Sequence, residues 1–461
     1  MDNIKNLTKN ITFFIQYKLT VTSIVQIHFT AEETMNGKEI SRRTFLKTTA
    51  AAGITIMNAP SVFGAPANSA VNLGVIGCGS RGIHVACSCM EHTGTRIVAI
   101  ADLFEDRLME GKNAFNEMSK KLGYPKLKNS NAFLGSQAYR RLLEAKDVDA
   151  VLIATPHYQH PEQLIASVDA GKHVYLEKPV AVDVHGSRNV MWAGRKAEGR
   201  LSIAVGFQIR HATPFVEMVR RIHNGALGEI VTGQTWYLSG GPNRTAPSGI
   251  SAEESRIRLW ALDRALSGDN ILLQGIHAID VCNWVLNTHP VKATGTGGRK
   301  ARTDPGNNWS YFIVNYEYPG ELPVSFQSQQ HDPGYGDVCE RFFGTQGISE
   351  SHYTGGVFIK GVNEWDSGVA RGTREEIDAK DWNVGAFRSA LDDADLNKQK
   401  AFIDSITSGR YINEAHQGAV STLSAIMGTT AAYTGKEVTW DGMMASDNKV
   451  DPMIDLSQFD S

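Results

Sequence analysis

Val71-Asn72-Leu73-Gly74-Val75-Ile76-Gly77-Cys78-Gly79-Ser80-Arg81-Gly82 is the stretch from which the fold follows. Its first six residues form an apolar run suited to a buried parallel strand. The remainder is a G-x-G-x-x-G turn. Gly77 permits a tight turn, Gly79 lets backbone approach a pyrophosphate, and Gly82 lets the next helix pack on the strand. A helix opening near Ser80 aims unpaired N–H groups and its positive dipole end at the same place. Gly77, Gly79, Ser80, Arg81 and Gly82 are therefore candidate cofactor-binding residues. A second apolar strand, 96–101, ends at Asp102, about twenty residues past Gly82, where a carboxylate binds ribose hydroxyls and repels a 2′-phosphate. NAD is expected, with NADP less favoured; Arg81, beside the loop, could also greet a phosphate.

Alternation continues outward from this unit. Residues 136–145 read as a helix, 150–154 as an apolar strand, 161–170 as a helix and 172–176 as another strand. Strands alternating with helices predict an α/β fold with a doubly wound parallel sheet. Ligands of such sheets bind at the carboxyl ends of the strands, where Asp102, Thr155 and Glu177-Lys178 fall.

The chain has 461 residues, 42% apolar and 21% charged, with a net charge of −3. That composition excludes a disordered or fibrous chain and predicts two globular domains. The charge gives no electrostatic reason to expect nucleic acid. Five cysteines are too few for a disulfide scaffold, and no CxxC or Cys/His cluster has metal-ligand spacing. Free thiols and no metal are expected.

The first seventy residues read as a leader. Ser41-Arg42-Arg43-Thr44-Phe45-Leu46-Lys47 matches the twin-arginine export pattern, and an Ala-rich run followed by small residues comes next. The apolar run is too short to span a bilayer, so no stable membrane insertion is expected. Many residues precede the pair, which makes Met35 a candidate start. Export by this route carries folded proteins, favouring a periplasmic or extracytoplasmic enzyme that acquires its cofactor first.

At Glu177-Lys178-Pro179 the sequence resembles the glucose–fructose oxidoreductase/inositol dehydrogenase (Gfo/Idh/MocA) family. The likeness includes the glycine loop, Thr155-Pro156 with His160 behind it, Gly206-Phe207-Gln208-Ile209-Arg210, Leu227-Gly228-Glu229-Ile230 and Gly275-Ile276-His277-Ala278-Ile279-Asp280. It implies a Rossmann domain over residues 71–207 and a C-terminal α/β domain over 208–461, whose open, mainly antiparallel sheet often forms homo-oligomer contacts. It places Thr155, His160, Glu177, Lys178 and Gln208 about the cofactor, and Lys178 and His277 at the proton-transfer centre. A positioned Lys or His can take the hydroxyl proton as hydride leaves an alcohol carbon. The sequence departs from the family where many members carry an acid four residues before the histidine; here stands Leu273. Either another carboxylate substitutes, Asp280 being the candidate, or proton shuttling differs.

In the second half, 214–224 reads as a helix, 229–239 as a strand, 240–268 as loop, and 274–286 as a helix carrying His277, Asp280 and Trp284 on one face. Trp260, His277, Trp284 and Trp309 could offer a sugar-binding aromatic surface. Strands then dominate, and helices at 397–408 and 414–433 are expected to pack back on the first domain, followed by a mobile acidic tail.

The function expected is an exported NAD(P)-dependent oxidoreductase acting on a sugar or polyol. The alternative is a glycoside hydrolase or lyase that uses tightly bound NAD through transient sugar oxidation without net redox; exported family 109 glycoside hydrolases are similar in leader and nucleotide domain.

Overall fold

A computed structural model describes residues 70–240, 245–330, 336–370 and 390–460. The expected leader with Arg42-Arg43 and Met35, residues 241–244, the turn at Pro333-Gly334 and residues 371–389 lie outside them.

Six parallel strands, β1 (Asn72–Ile76), β2 (Arg96–Asp102), β3 (Ala132–Leu134), β4 (Ala150–Ile153), β5 (His173–Leu176) and β6 (Ile203–Val205), form a sheet of order β3-β2-β1-β4-β5-β6. The strand interiors are apolar because both faces of the sheet are covered, with polar residues such as Arg96, Asp102 and His173 at the strand ends. Val75, Leu152 and Tyr175 pack towards Val85, Cys89 and Phe402; Ile76, Val151 and Leu176 pack towards Leu142, Leu164 and Val190. Phe402 belongs to the helix Ala394–Thr407, which returns from far along the chain to cover this sheet with the helix Ser80–Thr93.

The second sheet has nine strands, continuing with β7 (Ile230–Ser239), β8 (Lys292–Gly298), β9 (Tyr311–Tyr318), β10 (Leu322–Gln330), β11 (Asp337–Gly344), β12 (Gly347–His352), β13 (Gly355–Gly361), β14 (Trp365–Asp366) and β15 (Val438–Thr439). Its order is β14-β13-β12-β11-β7-β10-β9-β8-β15. All neighbours are antiparallel except β7 and β10, which run parallel from Gly233↔Val324 to Ser239↔Gln330. That exception brings the carboxyl ends of β7 and β10 to the same edge, where Tyr237 and Gln330 meet the cleft. The helices Ile276–Leu286 and Ala415–Thr434 cover one face of this sheet.

Three expectations need correction. The stretch 240–268 is not plain loop: it holds a helix, Ala252–Arg258, capped by Ser251 Oγ, and a turn, Arg264–Ser267, capped by Asp263. The His277 helix begins at Ile276, after a π-turn at Ile271–Gly275. The acidic tail forms a helix, Trp440–Ala445, and then lies against the first domain.

Candidate active site

A cavity of about 870 Å³ runs from the glycine turn to the ends of β7 and β10, within the range of cofactor and substrate clefts. Gly77, at φ +95°, turns the chain where a Cβ would lie 2.7 Å from the carbonyl oxygen of Ala154. A Cβ on Gly82 would lie 2.1 Å from the carbonyl oxygen of Gly77, so only hydrogen fits. The space around Gly79 is open, and no side chain caps the helix Ser80–Thr93. A helix start without a side-chain cap points its N–H groups at an anion. Gly77, Gly79, Ser80 and Arg81 all border the cavity, whereas Gly82 packs behind it.

Asp102 closes β2 at the cavity edge, accepting from the N–H of Cys78 (2.7 Å) and of Phe104 (3.0 Å). Burial raises its carboxyl above the usual range, opposed by those two N–H groups. Each oxygen retains acceptor capacity for a ribose hydroxyl. Arg81 does not serve as a free phosphate ligand. Its Nε donates to Glu177 at 2.8 Å and its terminal nitrogens to Asp395 at 3.0 and 2.9 Å. The guanidinium instead ties the Glu177-Lys178 strand end to the helix Ala394–Thr407, a partner the sequence did not disclose.

The opposite end is organised by Lys178. Its Nζ donates to the carbonyl of Leu273 at 2.7 Å, a carbonyl presented by the π-turn. Burial pulls its ammonium down to about 8; Glu177 opposes the shift and Arg81 adds to it. His277 is buried beside Tyr237, with ring centroids 6.5 Å apart and planes at 22°, and both line the cavity. Burial, then the charges of Lys178 and Arg81, hold its imidazole well below the ordinary value, so it is neutral at neutral pH. His277 Nδ1 and Gln208 Oε1 are buried with no hydrogen-bond partner among the described residues. Orphaned polar atoms facing a cleft fit a ligand that supplies the missing partners. Gln274, whose Oε1 accepts from Ser239 (2.8 Å) and Gln330 (2.9 Å), completes this wall.

Other expected residues stand elsewhere. Asp280 is not brought to His277: both its oxygens accept from Arg210, at 2.8 and 2.9 Å, and one also from Ser421 at 2.7 Å. It does not border the cavity, because the residue three places on points across the helix to Arg210. His160 lies behind Thr155, between the carbonyls of Pro179 (2.7 Å) and Thr155 (2.9 Å), and shapes the strand end without reaching the cleft. Thr155 lines the cleft, its hydroxyl donating to Gln163. Of the tryptophans proposed as a surface only Trp260 lines the cavity, packed edge-on to His157 at 4.6 Å. Trp284 carries Arg210 over its ring, and Trp309 stacks on Tyr433 at 3.8 Å. Tyr237, Gln274 and Gln330 were not singled out as site residues, since each looks like an ordinary strand or helix position until the sheets meet.

The glycine cradle, the uncapped helix N-terminus and Asp102 together fit a dinucleotide, which Ser80 would hold at its pyrophosphate and Asp102 at its ribose, leaving the orphaned Gln208 and His277 atoms near Lys178. Residues 71–205 match the family described as an oxidoreductase family with an NAD-binding Rossmann fold. Residues 215–350 match the GFO/IDH/MocA C-terminal domain. The chain is 26% identical over 374 residues to an inositol 2-dehydrogenase of Azotobacter vinelandii, covering 79% of this chain and 95% of that protein. It is 26% identical over 255 residues to the 2,7-anhydro-N-acetylneuraminate hydratase of Escherichia coli, covering 54% and 59%. Two further inositol dehydrogenases are matched over only 53% and 58% of their own length. The structure of levoglucosan dehydrogenase with NADH and levoglucosan superposes with a TM-score of 0.60 at 18% identity, covering 80% of this chain and 99% of that one. The two family matches span both sheets, and the chain belongs to the Gfo/Idh/MocA family of NAD-binding oxidoreductases.

Proposed function

We propose that this protein is an exported oxidoreductase that oxidises a secondary hydroxyl of a cyclic polyol or sugar ring. The observation that carries the reading is Lys178: an amine with its proton affinity reduced to about 8, fixed by the Leu273 carbonyl in the same cavity as the neutral, unpartnered His277. When bound, NAD supplies the hydride acceptor. Neutral Lys178 takes the hydroxyl proton as the carbonyl forms, and as an ammonium it returns that proton in the reverse direction. Gln208 Oε1 accepts from a ring hydroxyl and His277 Nδ1 pairs with another, and Tyr237 and Trp260 give the ring an aromatic wall. With Leu273 in place of an acid and Asp280 engaged by Arg210, the amine acts without a carboxylate relay. The relatives named for inositol and levoglucosan suit this substrate class. The test is turnover of NAD to NADH with a panel of inositols, anhydrosugars and hexoses; failure with every member would remove the proposal.

A second reading, sugar cleavage or hydration through transient oxidation with no net redox, is favoured by the relative named as an anhydrosugar-acid hydratase. Product release without NADH accumulation supports it, and stoichiometric NADH excludes it.

Export by the twin-arginine route belongs to the same proposal. Arg42→Lys with Arg43→Lys should keep the protein in the cytoplasm; unchanged periplasmic recovery would refute the route. Association through the nine-stranded sheet, which leaves Ile313 and Ile348 exposed, predicts a homo-oligomer by sedimentation, and a monomer at micromolar concentration rejects it.

A further inference from the structure

The C-terminal segment follows the edge of the nucleotide cleft, with Leu456 in its wall. The carbonyl of Asn448 accepts from the His185 N–H at 3.2 Å, and the Val450 N–H donates to Asp183 at 2.7 Å, beyond β5. Arg256 then donates to the carbonyl of Met453, and Leu456 enters the cavity wall. At the far end the Phe459 ring meets Phe104 edge-on at 5.7 Å. Asp460 accepts from the N–H and the hydroxyl of Ser136, at 2.6 and 2.7 Å. The segment thus passes from the end of β5 to the ends of β2 and β3.

A second element closes on the same spot. Arg258, from the helix Ala252–Arg258, makes a bidentate pair with Asp106 at 2.9 and 3.0 Å, its guanidinium 3.9 Å from the Phe104 ring centroid. Phe104 lies two residues beyond Asp102, the ribose-binding acid, and so marks the adenosine end of the cleft. It is held by Arg258 and by Phe459.

We propose that residues 448–460 are a strap over the adenosine end of the cleft that slows release of the dinucleotide. The inference rests on the NAD-binding reading of the cleft. A nucleotide seated on Asp102 leaves only when the Phe459 and Asp460 contacts open, so the strap acts on release more than on capture.

The test uses the full-length protein with NADH as the probe, its release into excess NAD followed by fluorescence. Phe459→Ala with Asp460→Ala should speed release roughly ten-fold or more, a loss of about 1.4 kcal/mol of retention for each factor of ten. Ser136→Ala, which removes one bond to the same carboxylate from the other side, should act in the same direction and less. Unchanged melting temperatures would show the variants folded. Equal release rates in all variants overturn the strap while leaving NAD binding intact. Slower release or tighter binding in the variants also overturns it, showing Leu456 and its neighbours as competitors for the adenine site. A wild-type protein that binds neither NAD nor NADH overturns the NAD-binding reading itself.

Discussion

The sharpest consequence of the site concerns the pH dependence of proton removal by Lys178. An ordinary lysine, at 10.5, is neutral about one time in three thousand at pH 7; with burial lowering it to about 8, the fraction is about one in ten. The acting form in oxidation is the neutral amine. The rate of alcohol oxidation, as kcat/KM, should therefore rise about ten-fold per pH unit below 8 and level off above it. Lys178→Met should lower kcat/KM by roughly 10²–10⁴-fold, the usual contribution of a positioned general base, and abolish that limb of the profile. Glu177→Gln removes the anion that raises the Lys178 pKa and releases the compensated charge of Arg81. Both changes disfavour the ammonium, so the limb should move to lower pH. Initial rates across pH 6–10 at saturating NAD, with melting checks on each variant, decide the matter. A limb near 8 that survives in Lys178→Met, or one that moves upward in Glu177→Gln, would refute this role for the amine.

Gly82→Ala should eliminate NAD binding by calorimetry, because the added methyl would sit 2.1 Å from the Gly77 carbonyl and force the cradle open. Asp280→Asn leaves Arg210 without its buried counter-charge and should cost about 3–5 kcal/mol in denaturant unfolding; kcat per folded molecule should hold, and a selective loss of kcat would restore Asp280 as a proton-transfer group. Burial alone would raise the Glu414 carboxyl, but Lys398, His211 and the Val205 N–H lower it to about 2 from 4.5. Its stabilisation is present above the unfolded value and is lost as pH falls from about 4.5 towards 2. Glu414→Gln should therefore remove about 3 kcal/mol at pH 7 and flatten that part of the acid-unfolding curve.

Much of the nucleotide half was legible because its signals are local. An apolar run, three glycines and an acid about twenty residues on are fixed by backbone geometry and by the chemistry of a pyrophosphate, whatever lies elsewhere in the chain. Lys178 and His277 were legible only through resemblance, since a lysine before proline and a histidine on an apolar helix have no chemistry of their own. Asp280 shows the limit of spacing as a guide. Its place three residues after His277 suggested a shared face, yet its carboxylate turns to Arg210, seventy residues earlier in the chain.

What the sequence determined by itself is the strand–turn–helix cradle, the acid that follows it and the α/β class, because contacts between near neighbours set them. Only the tertiary structure decided that Arg81 would be claimed by Asp395, that a π-turn would hand the Leu273 carbonyl to Lys178, and that Leu456 and Asp460 would meet the first sheet's strand ends. Those outcomes depend on which buried charge finds which partner across hundreds of residues. Such pairings are settled by packing and desolvation when the two sheets come together, and no short-range pattern carries them.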